Sequence, residues 1–503
     1  MTNDLCCDVH GNEETRRQLA GRIRRGASAV VLIEAVHQLA NLVFLAILYR
    51  VLGVDPYGLL AMVVPLLYLA RIVVTSGLDV ATIQRPELDV SQVSALFWVQ
   101  QLLGALVTLG VAAAAPVVAW FYRQPMLLEV TAVLAGTNLL ATLGLQHYAL
   151  LQRRLRLGAA AAIRLAAGVS GNLVAIAAAV NGWHVWALVA QMYIELAVFD
   201  LLVWTLEPFR PKLTLRGAGI LGMIRFGGLC TWATFMHFVA TQVDKVCLGY
   251  ALGVRAAALY SQAYNLASRP VQLVITRLST IMLPALSRAQ EDPAFFRAIL
   301  LICFRIIAAT MFPATVGLAL VGPEVMSILG GGQWRPAGPL LAILALTIVS
   351  QAFVQNFGTV LAAAGKGRPL ALACTTLAAL QTSAVLAGLA VGSWTNYPLE
   401  IVASFYTGAL GLLAFPAYLL AVLQIAKIAV EEVCRAIWPS VRATLLMGMA
   451  VAVGRMVLSF AGAGEVIRLA ALVGLGVLLY LVLARRELFE LARLVLPLGA
   501  GSS

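Results

Sequence analysis

The chain has 503 residues, 61% of them hydrophobic and 12% charged, with a mean hydropathy of +0.91. Soluble proteins carry roughly 25% charged residues and about half apolar ones, so a water-soluble fold of this composition would expose apolar surface it could not cover. The net charge of +12 does not point to nucleic acid, because the basic residues come in small groups between apolar runs and form neither patch nor tail.

Residues 1–27 are polar, lack a cleavable signal pattern and are expected to be a cytosolic tail, which makes the first apolar run a retained span. A helix needs about 20 mostly apolar residues to cross the hydrocarbon core. The first six runs that meet this are 28–49, 57–80, 94–118, 126–150, 158–180 and 183–205. Glu34, Gln38 and Asn41 line up on the first, with His37 one position off; Arg71 lies in the second and Arg164 in the fifth. Glu129 and Asp200 fall near span ends, where water can reach them. A polar segment, EPFRPKLTLRGA (207–218), follows within an expected cytosolic linker, 207–225.

Six more runs come next: 226–250, 256–284, 297–322, 337–363, 369–391 and 398–426. The first of these carries Thr234, His237, Thr241 and Asp244 at helical spacing, with Lys245 alongside. The second carries Asn265, Arg269, Gln272, Thr276 and Thr280 on one face, with Pro270 next to the arginine. The run 337–363 offers Thr347, Gln351 and Gln355. Two last runs, 441–461 and 466–484, lie in a segment 427–503 that ends in a cytosolic tail. The expected fold class is therefore an all-α integral membrane protein of about fourteen transmembrane helices. Most Lys and Arg sit in the tails and alternate connections, including Arg16, Arg17, Arg153, Arg154, Lys366 and Arg485, whereas the opposite connections hold Arg50, Arg123, Arg255, Arg335 and Arg468. That asymmetry places both termini in the cytoplasm and calls for an even number of spans.

The chain also repeats itself. VLGVDPYGLLAMVVPL from Val51 and ALGVRAAALYSQAYNL from Ala251 share Leu52-Gly53-Val54 and Leu252-Gly253-Val254, Leu59 and Leu259, and Leu66 and Leu266, all at one shift. Both stretches join the first and second spans of a six-span set. Residues 28–206 and 226–426 then form two pseudo-symmetric six-helix lobes related by an axis along the membrane normal, with the last two spans as an appendage. In this frame Arg71 and Arg269 reach nearly equivalent depths.

A full charge at mid-bilayer costs on the order of 2.5–3.5 kcal/mol on insertion scales, so such groups face a bundle interior or a wet cavity. Guanidinium is always charged and binds phosphate through two parallel donors. Arg71 and Arg269 are therefore candidates for an anionic headgroup, with Asn265, Gln272, Thr276, Gln351 and Gln355 for hydroxyl-rich cargo. Pro270 removes a backbone donor and permits a bend. Each feature has a plainer counterpart: polar stripes glue helices together by hydrogen bonds, Arg269 can pair with Asp244 or Glu34, and Asp244 can neutralise Lys245. Glu34 and Asp244 are candidates for coupling to a proton or sodium ion.

The missing chemistry is informative too. Gly365-Lys366 is followed by Gly367, and position 360 is Val, so no phosphate-binding loop for ATP is present. H-E-x-x-H and G-x-S-x-G are absent, and no outward loop is long enough for a catalytic site. The seven cysteines show no metal-ligand spacing, and Cys6-Cys7 reads as a pair of reduced cytosolic thiols, with an acylation site as the alternative. A transporter without cofactor or metal is expected, not an enzyme.

On the residues YRVLGVDPYGLLAM (49–62), GLDVATIQRPELDVSQVSALFWVQQLLG (77–104), ALLQRRLR (149–156), VDKVCLGYALGVRAAALYSQAYNLASRPV (243–271) and LPALSRAQEDP (283–293), the chain resembles the polysaccharide-exporter branch of the multidrug/oligosaccharidyl-lipid/polysaccharide flippase superfamily. The pattern extends to about residue 430. Ala258 stands where the family often has Gly, and Lys245 where it more often has Asn. The resemblance implies two lobes around a cavity that opens to alternate sides, in the bacterial cytoplasmic membrane. The implied substrate is an oligosaccharide repeat unit on polyprenyl pyrophosphate; the sequence leaves open whether the chain works alone or with a polysaccharide polymerase and a chain-length regulator as partners. A drug or cation antiporter, a peptidoglycan-precursor flippase and a membrane enzyme of glycan assembly are the rival readings.

Overall fold

The computed structural model describes residues 13–75, 82, 89–154, 156–212, 220–289, 292–363 and 367–498. Cys6 and Cys7, most of residues 77–88 at the start of the 77–104 motif, and Lys366 lie outside the described residues, as do the side chains of Thr276 and Thr280. Among the described residues the chain is helical, with no strand.

In the N-terminal half, α1 runs Glu13–Leu52, α2 Asp55–Thr75, α3 Val90–Tyr122, α4 Met126–Leu143, α5 Leu145–Arg153, α6 Leu157–Val180 and α7 Val185–Leu206. Helix α1 begins well before the expected boundary at 28, although its span-like part is Ile33–Leu52. The run 126–150 is two helices, α4 and α5, which meet at Gly144. That junction explains a departure from expectation: Asp200 is buried, not solvated, because it packs under Gly144, where an added methyl would crowd its Oδ1.

Helix α8, Ile220–Arg288, has 69 residues. Drawn straight it would be about 100 Å long against a hydrocarbon core of roughly 30 Å. It is two helices joined at Gly253, whose φ of +82° an L side chain rarely adopts. Gly53, at the matching place between α1 and α2, has φ +74°. The repeated Leu-Gly-Val thus performs the same turn twice. The remaining helices are α9 Pro293–Gly330, α10 Ala337–Ala345, α11 Thr347–Ala363, α12 Gly367–Gly392, α13 Pro398–Gly408, α14 Phe415–Ala426, α15 Val430–Phe460, α16 Glu465–Leu483 and α17 Arg485–Leu498. A π-helical segment, Ala409–Ala414, links α13 to α14. Asp292 caps α9 by accepting hydrogen bonds from the backbone N–H groups of Ala294 and Phe295, with Pro293 at the first helical position.

Among the described residues eleven helices are long and apolar enough to cross a membrane, and α10 with α11, bent by 47° at their junction, makes up to 12. The expected fourteen is reached only if both halves of α8 are counted as well. Leu109, Leu412 and Phe460 are 67%, 78% and 81% exposed, a surface that only lipid can cover.

The two halves pack together where the repeated turns meet. A methyl group at Gly58 would overlap the carbonyl oxygen of Val254, so α2 and α8 are in backbone contact there. Nearby, Trp334 is fully buried, stacks on Tyr49 with centroids 4.1 Å apart, and donates from Nε1 to the Tyr49 carbonyl at 3.2 Å. Tyr57 stands edge-on to both rings.

Helices α15 and α16 attach to α9. Met447, Val451 and Leu472 pack on Val321, and Tyr480 Oη donates to the Ala309 carbonyl at 2.8 Å. Charges reinforce this seam: Arg455 lies 3.0 Å from Glu324, Arg468 3.9 Å from the same carboxylate, and Arg335 2.9 Å from Glu465. Arg305 holds α17 through Glu487 at 3.0 Å and Glu490 at 2.7 Å. Arg305 on α9 and Arg455 on α15 are thus paired and structural.

Candidate binding cleft

The polar residues of α1 recur three or four apart, so Glu34, Gln38, Asn41 and Tyr49 share one face. On the second half of α8, Gln262, Asn265, Arg269 and Gln272 do the same. Tyr49 Oη donates to Gln262 Oε1 at 2.9 Å. Glu34 Oε2 lies 3.3 Å from Arg277. Equal numbers of residues separate Glu34 from Tyr49 and Gln262 from Arg277, so the antiparallel helices are bridged at two levels about 22 Å apart. The two polar stripes lie between these bridges.

A hollow of about 280 Å³ opens within the N-terminal half. Its wall carries His37 from α1, Arg71 from α2, Asn138 from α4, Arg164 from α6 and Glu195 from α7. Arg164 also lies 3.9 Å from Glu34, so the hollow is continuous in chemistry with the α1–α8 cleft. The wall is held in place by side-chain amides: Asn172 donates to Asn41 at 3.3 Å, and Gln191 donates to Asn172 at 3.0 Å. Gly168 permits the close approach of α6 to α1, since an added methyl would meet His37 Nε2 at 2.9 Å. Arg71, Arg164, Arg269 and Arg277 face two carboxylates, Glu34 and Glu195, so the region is net cationic. It presents no nucleophile placed beside a base; it can bind and orient an anion.

The residues singled out from sequence divide into two groups. Arg71, Arg269, Asn265, Gln272 and Glu34 belong to the hollow or the cleft; Arg269 is half-buried, and Asn265 and Gln272 are exposed. Gln351 does not reach it: its amide is buried within the C-terminal half, donating to Thr347 at 2.9 Å and accepting from Ser268 at 3.3 Å. Gln355 is half-buried one turn further along α11. Asp244 is fully buried, with Oδ1 accepting from the Lys245 backbone at 2.8 Å. The Lys245 ammonium turns to Gln242 at 2.9 Å and sits 4.4 Å over the Tyr264 ring. Arg269 pairs with neither Asp244 nor Glu34, because Glu34 is taken by Arg277 and Arg164. Pro270 keeps helical backbone angles, and the break in α8 lies at Gly253. Arg277 escaped the sequence reading although it falls inside 256–284; its charge within an apolar run was the available signal. Among the described residues no group of three or more His, Cys, Asp or Glu side chains is placed to hold a metal.

Residues 47–339, more than half of the chain, match the family described as "Polysaccharide biosynthesis protein". The chain belongs to that family. It is 24% identical over 380 residues to the teichuronic acid biosynthesis protein TuaB of Bacillus subtilis (strain 168), covering 69% of this chain and 78% of that one. It is also 24% identical over 350 residues to the succinoglycan biosynthesis transport protein ExoT of Rhizobium meliloti (strain 1021), covering 69% and 70%. In fold it is similar to a lipid II flippase, MurJ, in an inward closed conformation, with a TM-score of 0.68, 13% identity, and 92% and 99% of the two chains covered. The fold is accordingly the multi-pass helical one of that protein.

Proposed function

We propose that this chain is a flippase that carries oligosaccharide repeat units linked to polyprenyl pyrophosphate from the inner to the outer leaflet of the bacterial cytoplasmic membrane. The observation that carries this reading is the cationic cleft between α1 and α8, joined through Arg164 to the Arg71 hollow. A pyrophosphate diester is an anion that paired guanidiniums recognise through parallel donors. Asn41, Asn265 and Gln272 offer the amide groups that sugar hydroxyls require. The two bridges suit alternating access by residues 28–206 and 226–426: Tyr49, Trp334 and Gln262 close one level, Glu34 and Arg277 the other, and rocking exchanges which is open. Both termini are cytoplasmic in this reading, and Glu34 or the buried Asp244 is the carboxylate available for ion coupling. A polymerase and a chain-length regulator would act on the delivered product.

The relatives' descriptions support a glycan cargo, and the transport named for ExoT supports translocation. A drug or cation antiporter would require a cleft of the opposite charge. The test is mass spectrometry of polyprenyl-linked intermediates from cells lacking this protein. Accumulation of a complete lipid-linked repeat unit is expected. Truncated units would mark an assembly enzyme; accumulated peptidoglycan precursor would mark the rival flippase; an unchanged pool would leave the antiporter.

A further inference from the structure

Glu34 stands where an anion would stand. Its Oε2 is shared by two guanidiniums from opposite halves of the chain, Arg277 at 3.3 Å and Arg164 at 3.9 Å. Both arginine side chains are about half exposed, 50% and 48%, while that of Glu34 is 22% exposed. The cations thus reach into open space and converge on one partly sheltered oxygen. The other oxygen, Oε1, accepts from Gln38 Nε2 at 3.3 Å one turn along α1, a contact that survives if both arginines leave. Arg164 is at once a member of this cluster and of the Arg71 hollow.

We propose that the Glu34 carboxylate is a built-in stand-in for the substrate's pyrophosphate, holding Arg164 and Arg277 in the empty transporter and giving them up to the lipid headgroup. This rests on the reading of the chain as a pyrophosphate-lipid flippase. A pyrophosphate diester carries one ionised oxygen on each phosphoryl group, so it satisfies one guanidinium per phosphoryl, where Glu34 offers both the same oxygen. Charge-assisted bonds with two well-placed acceptors outcompete a single shared one. Displaced, Glu34 falls back on Gln38, and the bridge between α1 and α8 at this level now runs through the substrate. The arrangement makes Arg164 and Arg277 a headgroup subsite beside Arg71, and it disfavours occupation by small, weakly binding anions, which must first break two ion pairs.

The test measures binding of inorganic pyrophosphate and of a sugar-free polyprenyl pyrophosphate to the purified full chain in detergent micelles, by calorimetry, for four chains: the parent, Glu34→Gln, Glu34→Gln with Arg277→Ala, and Glu34→Gln with Arg164→Ala. Each part-exposed pair is worth a factor of about two to five. Glu34→Gln is isosteric and keeps the Gln38 contact, and it is expected to tighten both ligands by about four- to twenty-fivefold. Either arginine removal should cancel most of that gain. Binding by the parent with no gain in Glu34→Gln would overturn the stand-in role while leaving the flippase reading intact. A gain for inorganic pyrophosphate alone would overturn the lipid headgroup as the displacing ligand. No binding of either ligand by any of the four chains would overturn the pyrophosphate reading itself, and the stand-in with it.

Discussion

Trp334→Ala should shift the transporter from the state described here towards one open at the Trp334 level. The Trp334 indole is fully buried, stacked on Tyr49 at 4.1 Å and hydrogen-bonded to its carbonyl at 3.2 Å. Removing a buried Trp side chain costs about 3–5 kcal/mol in transfer and cavity terms. Tyr49 and Tyr57 belong to α1 and α2, while Trp334 follows α9, so alternating access must part them. A state in which they are already apart does not bear that cost. At 1.4 kcal/mol per factor of ten, the equilibrium moves by roughly 10²- to 4 × 10³-fold. The assay is labelling of an Ala258→Cys reporter by a membrane-impermeant maleimide, in a chain whose native cysteines have been replaced. Ala258 is fully buried in the present structure, so labelling reports the opening directly. Equal labelling rates with and without Trp334→Ala, in folded protein, would refute the claim that this contact closes the transporter.

Four other outcomes are expected. Arg269→Ala should abolish export while leaving membrane insertion intact; normal glycan export from this variant would remove Arg269 from the headgroup site. Arg71→Ala should cost about 10- to 100-fold in transport, the worth of a hydrogen bond to a charged group, and Arg71→Lys should cost less because charge survives without the fork; equal activity of the two would mean a structural residue. Glu324→Gln leaves Arg455 and Arg468 without their shared carboxylate, and with Arg455 partly solvated the loss should be about 1–3 kcal/mol, read as a lower melting temperature in detergent with pyrophosphate binding unchanged. Gly58→Ala must push α2 off the Val254 carbonyl, and faster labelling of the same Ala258→Cys reporter is the sign that it does.

Helical periodicity made much of this molecule legible before any coordinates. Apolar runs marked most of the helices, and the repeated Leu-Gly-Val marked two turns in which both glycines adopt left-handed angles. The polar stripes on α1 and α8 were visible because residues three and four apart share a face. What periodicity leaves open is which neighbour a face meets. Glu34 and Arg277 are distant in sequence, and only the antiparallel seating of α1 against α8 brings them within 3.3 Å. Gln351 shows the opposite error: its stripe is real, yet it turns inward to Ser268 and Thr347. Asp200 lies at a span end, where solvation was expected, but the junction of α4 and α5 at Gly144 draws it inside. The break in α8 follows the same logic: a positive-φ glycine interrupts a helix more completely than Pro270, which retains the helical φ.

The measurement that bears most directly on translocation is reconstitution of the purified chain into liposomes carrying a polyprenyl-pyrophosphate-linked oligosaccharide, with a lectin outside to report sugar arriving in the outer leaflet. The flippase account predicts protein-dependent arrival that is lost in Arg269→Ala. Arrival at the rate of protein-free liposomes, with a folded and correctly inserted chain and an ion gradient imposed, would contradict it.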